Sequence, residues 1–386
     1  MSRFALVGLC VVSACGGHPT PPSSRGACPG TVLESLAPTP RSPFITGLLW
    51  LDPSTLIVGV AGRVVDEASP DGSHHQVLDV DPHSSGMFVI DVVQQKIQRV
   101  FRGASFIDAQ PRRGSQTELL VLDGNYTDHG WRNQVGVVDL ASGCLRSSEP
   151  FAEGVVAIDP GTDSFVVSRG QDNARKVNAL ERWEAKVLRP DATRSVPRID
   201  AMSYDPHTNL LVTTSFANDT IRLRDPVTLD ERSAKTLPVR VREGFSLIPG
   251  RGQIAMAFET PCTPTGSTVG EHVECREPVQ EHGLLVVNLE SLTELHRSQI
   301  APELEGRLTW VPDGSRAFAP CANGHELCAW TPETGEVRRV QAGMTNVAAK
   351  LAFASDGDTY ATEGAEGSLE IRSMATGALR WRIALH

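Results

Sequence analysis

The chain has 386 residues, 40% of them hydrophobic and 21% charged, with a formal net charge of −10 at pH 7. That hydrophobic fraction is ample for a core, and the length is one that single all-β barrels and propellers commonly reach. The charge is spread without long acidic runs and offers no basic patch to neutralise phosphates, which argues against a nucleic-acid partner and favours solubility.

At the amino terminus, Arg3 precedes an apolar run from Phe4 to Val12 and then small residues, the layout of a secretory signal. The run is too short to cross a bilayer, which takes ~20 apolar residues, and no later stretch reaches that length without charges or turn residues. Val12-Ser13-Ala14-Cys15 resembles the lipobox of bacterial lipoproteins, in which small residues precede a cysteine that is acylated and becomes the new N-terminus. The resemblance implies a signal peptide over residues 1–14, lipidation at Cys15 and membrane attachment through the lipid anchor alone. The rival is a secreted protein cleaved after Ala14, with Cys15 left as a spare thiol. Cys10 follows the bulky Leu9 and suits the peptidase poorly. Gly16 stands where an inner-membrane retention Asp would sit, and by resemblance to that sorting rule the outer membrane is favoured. Residues 16–26 are rich in Gly, Pro and Ser and cannot bury apolar surface, so residues 15–41 read as a lipidated end and a tether.

Cys10 would leave with the signal and Cys15 would take the lipid. Six cysteines remain, an even number that suggests disulfides in an exported chain. Cys262 and Cys275 flank one polar loop and Cys321 and Cys328 a shorter one, which leaves Cys28 with Cys144. Other connectivities are open, since this choice rests on proximity. No spacing is Cys-x-x-Cys with a matching partner pair, so zinc is disfavoured.

From about residue 42 one pattern repeats: an apolar strand, a turn often written Asp-Pro or Asp-Gly, a second strand, a loop, a third strand and a hairpin into a fourth. The marker turns are Asp52-Pro53, Gln110-Pro111, Asp159-Pro160, Asp205-Pro206, Ile248-Pro249, Asp313-Gly314 and Asp356-Gly357. Most of their spacings fall near the ~40 to 50 residues of a four-stranded propeller blade, and the longer ones are that length plus an insertion. The runs Leu56–Val60, Met87–Ile90, Val135–Val138 and Leu284–Val287 are short, β-branched and bounded by turn residues, and no segment sustains a 3.6-residue period. The expectation is an all-β fold: a seven-bladed β-propeller of four-stranded antiparallel blades over residues 42–386.

Residues 209–223 resemble the second and third strands of a YVTN-type propeller repeat, and residues 369–377 resemble its third strand and closing hairpin. The Trp-Asp and Gly-His marks of true WD repeats are missing as a set, so the resemblance implies the fold alone.

In such a blade the loop between strands two and three shares a face with the connection to the next blade. Insertions at 66–85, 123–133 and 260–282 should therefore crowd one rim, where His74, His75, Tyr126, His129, Trp131, Glu271 and His272 are candidate binding residues. Cys321 and Cys328 would close the equivalent loop of the sixth unit. Cys144 belongs to the hairpin between strands three and four, on the opposite face. A bond from Cys28 would lead the tether out on that side and turn the decorated rim away from the membrane. Residues 31–37 look like a strand, yet the last unit supplies its own fourth strand at 378–385, so two ring closures are open.

Catalytic motifs are thin: no Gly-x-Ser-x-Gly elbow, no His-Glu-x-x-His and no phosphate-binding glycine loop occurs. Asp123 to Asp128 begins like a calcium loop but lacks Gly at its sixth position and Glu at its twelfth. His74, His75, Asp79, Asp81 and His83 could ligate a metal, although such residues are ordinary in loops. The expectation is a propeller without enzymatic activity, cofactor or metal, presenting a stiff surface to a protein, peptide or glycan at the cell envelope. The rivals are a lactonase-like or other hydrolytic enzyme with a central-channel site, a subunit of an envelope assembly, and a vestigial repeat protein.

Overall fold

The computed structural model describes residues 28, 31–32, 44–61, 64–68, 74–78, 86–102, 105–127, 130–152, 154–172, 177–260, 264–269, 272–275, 282–299, 308–321, 326–342, 350–364 and 367–385. The signal-peptide and lipidation readings, Cys15 included, lie outside the described residues. Among those described, the regular structure is β-strand, with no α-helix.

A short β1 (Thr31–Val32) precedes the repeat. Blade 1 is built from β2 (Phe44–Asp52) and β3 (Thr55–Ala61), then, after β4 (Val64–Ala68) and β5 (His74–Leu78), from β6 (Gly86–Asp91) and β7 (Lys96–Arg102). Blade 2 holds β8 (Asp108–Pro111), β9 (Glu118–Thr127), β10 (Gly130–Asp139) and β11 (Cys144–Ser147), with β12 (Phe151–Ala152) added alongside β10. Blade 3 holds β13 (Gly154–Asp159), β14 (Ser164–Asp172), β15 (Val177–Glu184) and β16 (Pro190–Pro197). Blade 4 holds β17 (Ala201–Asp205), β18 (Leu210–Ser215), β19 (Thr220–Arg224) and β20 (Glu231–Thr236). Blade 5 begins with β21 (Arg240–Ile248) and β22 (Gln253–Glu259); β23 (Pro264–Val269) and β24 (His272–Cys275) intervene before β25 (His282–Asn288) and β26 (Glu294–Gln299). Blade 6 holds β27 (Thr309–Trp310), β28 (Ala317–Pro320), β29 (Glu326–Thr331) and β30 (Glu336–Ala342). Blade 7 holds β31 (Leu351–Phe353), β32 (Thr359–Glu363), β33 (Leu369–Ser373) and β34 (Leu379–Ile383). The protein is thus a seven-bladed β-propeller of four-stranded antiparallel blades.

The ring is held by the two-residue period of the strands. Successive side chains leave opposite faces of a sheet, so a strand apolar at every position serves two neighbours at once. In β3, Leu56, Val58 and Val60 pack with blade 7 residues Ala361, Leu369 and Ile371, while the intervening Ile57 packs with Ala109, Leu119 and Val121 of blade 2. In β9, Leu119 and Val121 face blade 1, and Leu120 and Leu122 face Phe165 and Val167 of blade 3. The same alternation passes Val166 and Leu211 between blades 3 and 4, Val212 and Ile254 between blades 4 and 5, Ala255 and Trp330 between 5 and 6, and Phe318 and Tyr360 between 6 and 7. Each junction therefore has its own buried cluster.

The recurring Asp-Pro turns have a local cause. The Asp159 carboxylate accepts from the Gly161 and Thr162 amides at 2.8 and 3.1 Å, and Asp205 accepts from the His207 and Thr208 amides at 3.2 and 3.1 Å. A short acceptor side chain thus closes the first turn of the blade, while Pro presets the next φ.

The hairpin between strands three and four repeats more strictly than its sequence does. A residue one or two positions before the fourth strand has positive φ in every blade: Gln95, Gly143, Leu188, Leu229, Leu292, Gly335 and Gly377. Three blades use glycine, which has no Cβ to clash there. Leu188, Leu229 and Leu292 accept the conformation because their side chains are buried in the junction cores. Gln95 is exposed and has no such compensation.

Basic side chains lace this hairpin face from one blade to the next. Arg99 of blade 1 donates to the Leu140 and Ala141 carbonyls of blade 2, and Arg146 of blade 2 donates to the Lys186 carbonyl of blade 3 at 3.0 Å. Arg194 of blade 3 pairs with Asp230 of blade 4, and Lys235 of blade 4 donates to the Leu292 carbonyl of blade 5 at 2.8 Å.

Both closures left open by the sequence are resolved. Blade 7 is completed by its own β34, and blade 1 by its own β2, so among the described residues no strand is exchanged at the seam. Side chains join it: the Trp50 indole N–H donates to the Ala352 carbonyl at 3.1 Å, beside the shared cluster of Ile45, Leu56 and Leu369. β1 instead pairs antiparallel with β11, Thr31 opposite Leu145 and Val32 opposite Cys144, as an extra outer strand of blade 2. Cys28 is disulfide-bonded to Cys144, which pins this segment to the hairpin face.

Replacing the strained exposed residue of blade 1, Gln95→Gly, is expected to stabilise the fold by about 0.5–1 kcal/mol, read as a higher urea midpoint with unchanged slope. An unchanged or lower midpoint would show that the left-handed backbone at 95 carries no cost.

Candidate functional site

Alternating strand direction places every turn between strands two and three on one face of the ring, together with the blade-to-blade connections. Three of these turns carry extra structure, and each is a β-ribbon. In blade 1, β4 and β5 pair with Val64 opposite Leu78 and Ala68 opposite His74. In blade 5, β23 and β24 pair with Val269 opposite His272.

Blade 2 departs from the expected loop over 123–133. β9 and β10 simply continue outward as a ladder that reaches Thr127 opposite Gly130, with Tyr126 opposite Trp131. The calcium-loop comparison falls with it, because Asp123 to Thr127 is extended strand.

The base of this ribbon is fixed by part-buried polar contacts that the sequence reading missed. The Asn133 amide donates to the Gly154 carbonyl of blade 3 at 2.9 Å, and the Gln134 amide donates to the Ser148 carbonyl at 2.6 Å. Across β9 from Gln134, the Asp123 carboxylate accepts from the Gly124 amide at 2.9 Å and from the Ser105 amide in the connection from blade 1. Burial outweighs these hydrogen bonds and pushes the Asp123 pKa up to about 6. The Ser105 hydroxyl lies 2.7 Å from that of Thr46, and the next residue, Phe106, fills a notch that exists because residue 59 is glycine. A Cβ on Gly59 would stand 2.7 Å from the Phe106 carbonyl oxygen.

On the same face, Cys321 and Cys328 are disulfide-bonded across the second and third strands of blade 6, both buried. The staple closes a short loop and contributes about 2–3 kcal/mol in the chain-entropy account.

The candidate rim residues are distributed accordingly. His74 and His75 occupy adjacent positions of β5, Tyr126 and Trp131 are cross-strand partners near the tip of the blade 2 ribbon, and His272 begins β24. His129, Glu271 and Cys262 lie outside the described residues, as do Asp79, Asp81 and His83. Cys275 ends β24, opposite Pro264. Topology gathers these ribbons on one face, on three different blades. Among the described residues no group of three or more His, Cys, Asp or Glu is placed to hold a metal ion.

A second site is the central channel, where a cavity of about 580 Å³ runs along the first strands of blades 2 to 5. Blade 3 lines it with Val155, Val156 and Ala157, as the apolar innermost strands predict, while Asp108, Ser203 and Lys350 bring polar groups from other blades and connections. Asp200 also reaches it, but its carboxylate accepts from the Phe216 amide at 2.7 Å and pairs with Arg198. No histidine among the described residues lines the cavity. The polar positions Asp108, Gln110 and Ser203 alternate along their strands, a signal that was present in the sequence.

No family model matches the chain, and no curated protein matches it in sequence. Solved structures do: a chain from the hydrazine synthase of Kuenenia stuttgartiensis superposes with a TM-score of 0.56 at 12% identity, covering 91% of this chain and 99% of that one. At that identity the likeness is one of fold.

The raised Asp123 pKa has a stability consequence with a definite sign. The folded state holds this proton more tightly than the unfolded state, so the contribution to stability is full below about pH 4 and is lost as pH rises through about 6. Asp123→Asn keeps an acceptor for the two amides and removes the buried charge. It is expected to raise the unfolding free energy by about 1–2 kcal/mol at pH 7.5 and to leave it nearly unchanged at pH 4. Equal effects at both values, measured by urea unfolding, would contradict the assignment.

Proposed function

We propose that the chain is an exported lipoprotein, anchored in the cell envelope through an acyl group on Cys15, with the outer membrane as the favoured location. Its propeller serves as a binding scaffold without catalysis, cofactor or metal. The partner is a protein, peptide or glycan held by the face that carries the three ribbons.

One observation supports this reading above the rest: the two faces of the ring differ in kind. One carries the ribbons of blades 1, 2 and 5, and the other receives the amino-terminal segment through Cys28 and Cys144. Among the described residues the β4–β5 and β23–β24 ribbons each pair within themselves, a two-stranded form to which an extended segment could add as a further strand. Blade 2's ribbon is braced at its base by Asn133, Gln134 and Asp123, so a partner meets a surface already held in place. Pre-ordering of that kind lowers the entropy lost on binding.

A hydrolytic enzyme remains the alternative, and the observation in its favour is the central cavity with Asp108 and Lys350. Two of its acids are committed elsewhere, Asp200 to Phe216 and Arg198 and Asp205 to its own turn. The scaffold reading is preferred for that reason.

Two measurements test the proposal. Labelling with a palmitate analogue in cells is expected to mark the wild-type chain and to be lost in Cys15→Ser; equal labelling of both would remove the anchor. A pull-down from envelope extract with the chain from residue 16 is expected to capture a partner that is lost when the three ribbons are shortened to tight turns. Retention of that partner by the shortened chain would reject the ribbon face.

A further inference from the structure

The hairpin face carries an apolar feature that the scaffold reading leaves unexplained. Among the described residues, five large hydrophobic side chains are markedly exposed, and the three tip residues Val93, Val187 and Val227 are 75%, 56% and 45% exposed. Each lies in the hairpin between strands three and four, in blades 1, 3 and 4 respectively. The remaining two, Leu295 and Leu379, stand at the hairpin-side start of the outermost strands of blades 5 and 7. Val93 and Val187 therefore flank blade 2, whose own hairpin leads into Cys144 and its bond to Cys28, and Val227 lies one blade further on.

Charge divides this face in the same direction. In the sector of blades 1 to 3 the exposed charged side chains are Lys96, Arg99, Arg113, Lys186 and Arg189 against the acids Asp52, Glu184 and Asp191, a balance on the basic side. A groove of about 660 Å³ between blades 2 and 3 opens beside Lys186 and Arg189; its other cations are committed, Arg146 to the Lys186 carbonyl and Arg169 to Glu181, and Glu149 is the one acid in its lining. The sector of blades 5 to 7 presents Glu290, Asp313, Glu333, Asp356 and Asp358, all exposed, with Arg251 and Arg316 among them. An anionic surface would attract the first sector and repel the second.

We propose that the hairpin tips of blades 1, 3 and 4 seat the propeller on an anionic phospholipid bilayer, with Val93, Val187 and Val227 in the interfacial region and the neighbouring lysines and arginines against lipid phosphates. The inference rests on the lipid-anchored reading, which supplies the occupant. Cys15 lies thirteen residues before Cys28, a span of at most about 45 Å. An acyl group there holds the ring close to the bilayer and brings the face bearing Cys28 to it first. Isolated aliphatic tips flanked by basic side chains bind such a surface through apolar insertion and electrostatic attraction together. The ribbons then point into the aqueous compartment, and the acidic sector is tilted away.

The test uses the chain from residue 16, which keeps every described residue. An amino-terminal hexahistidine tag stands in for the acyl group, on vesicles of phosphatidylethanolamine, phosphatidylglycerol and a nickel-chelating lipid. An environment-sensitive fluorophore is attached in turn to Val93→Cys, Val187→Cys and Val227→Cys, and to His74→Cys and Thr268→Cys on the ribbon face. Lipids brominated in their acyl chains are expected to quench the three hairpin labels at least twofold and to leave the ribbon labels unchanged. Replacing phosphatidylglycerol by phosphatidylcholine is expected to reduce the hairpin quenching at least twofold. No quenching at any label, equal quenching on both faces, or quenching indifferent to phosphatidylglycerol overturns the proposal. Because the tag replaces the lipid, these outcomes are independent of whether Cys15 is acylated, which the palmitate experiment decides.

Discussion

The structure depends on one constraint: a short strand with apolar side chains on both sides must be covered on both sides. Each blade meets it by placing its second strand between two neighbours, so that Leu56 and Ile57, or Leu119 and Leu120, serve different junctions. Blades satisfying this rule in sequence can stop only when the last covers the first. That closure occurs between Ile45, Leu56 and Val58 and the blade 7 residues Ala361, Leu369 and Ile371. It needs no exchanged strand, which frees the amino-terminal segment to dock elsewhere, as β1 does on the edge of blade 2.

The two faces of the ring differ in how the ends of the blades are finished. On one face the hairpins are short, stereotyped and tied to the next blade by Arg99, Arg146, Arg194 and Lys235. On the other, the chain adds ribbons whose sequences are released from the packing rule. A polar residue at a ribbon's base can still be structural: Asp123 and Asn133 bridge blade 2 to the segments on either side of it. The ring thus forms the packed body, and the outward extensions lie beyond its junction cores.

Much of this was legible in the sequence because a few residues have strong local preferences. Asp159 and Asp205 mark turns since their carboxylates close them, and the β-branched runs at 56–60 and 284–287 can hardly form anything but strand. The ribbon of blade 2 was harder to see. Asp123, Gly124 and Asn125 carry turn chemistry, and the cross-strand ladder from Val121 opposite Gly136 to Tyr126 opposite Trp131 overrides it. The left-handed hairpin position was legible where it is Gly143 or Gly377 and hidden where burial holds Leu188 or Leu229 there. The central cavity depends on which sides of several first strands meet, a relation that no single stretch of sequence contains.

The seam between blades 1 and 7 is where radial packing alone must hold, and native-state hydrogen exchange read by mass spectrometry tests it most directly. Trp50 and its acceptor Ala352 are 302 residues apart. If side-chain packing closes the ring, Trp50→Ala will accelerate exchange in β31 and β32 as well as in β2, and these strands will open together. Exchange in blade 7 that is untouched by the substitution, with blades 1 and 7 opening independently, would contradict the account.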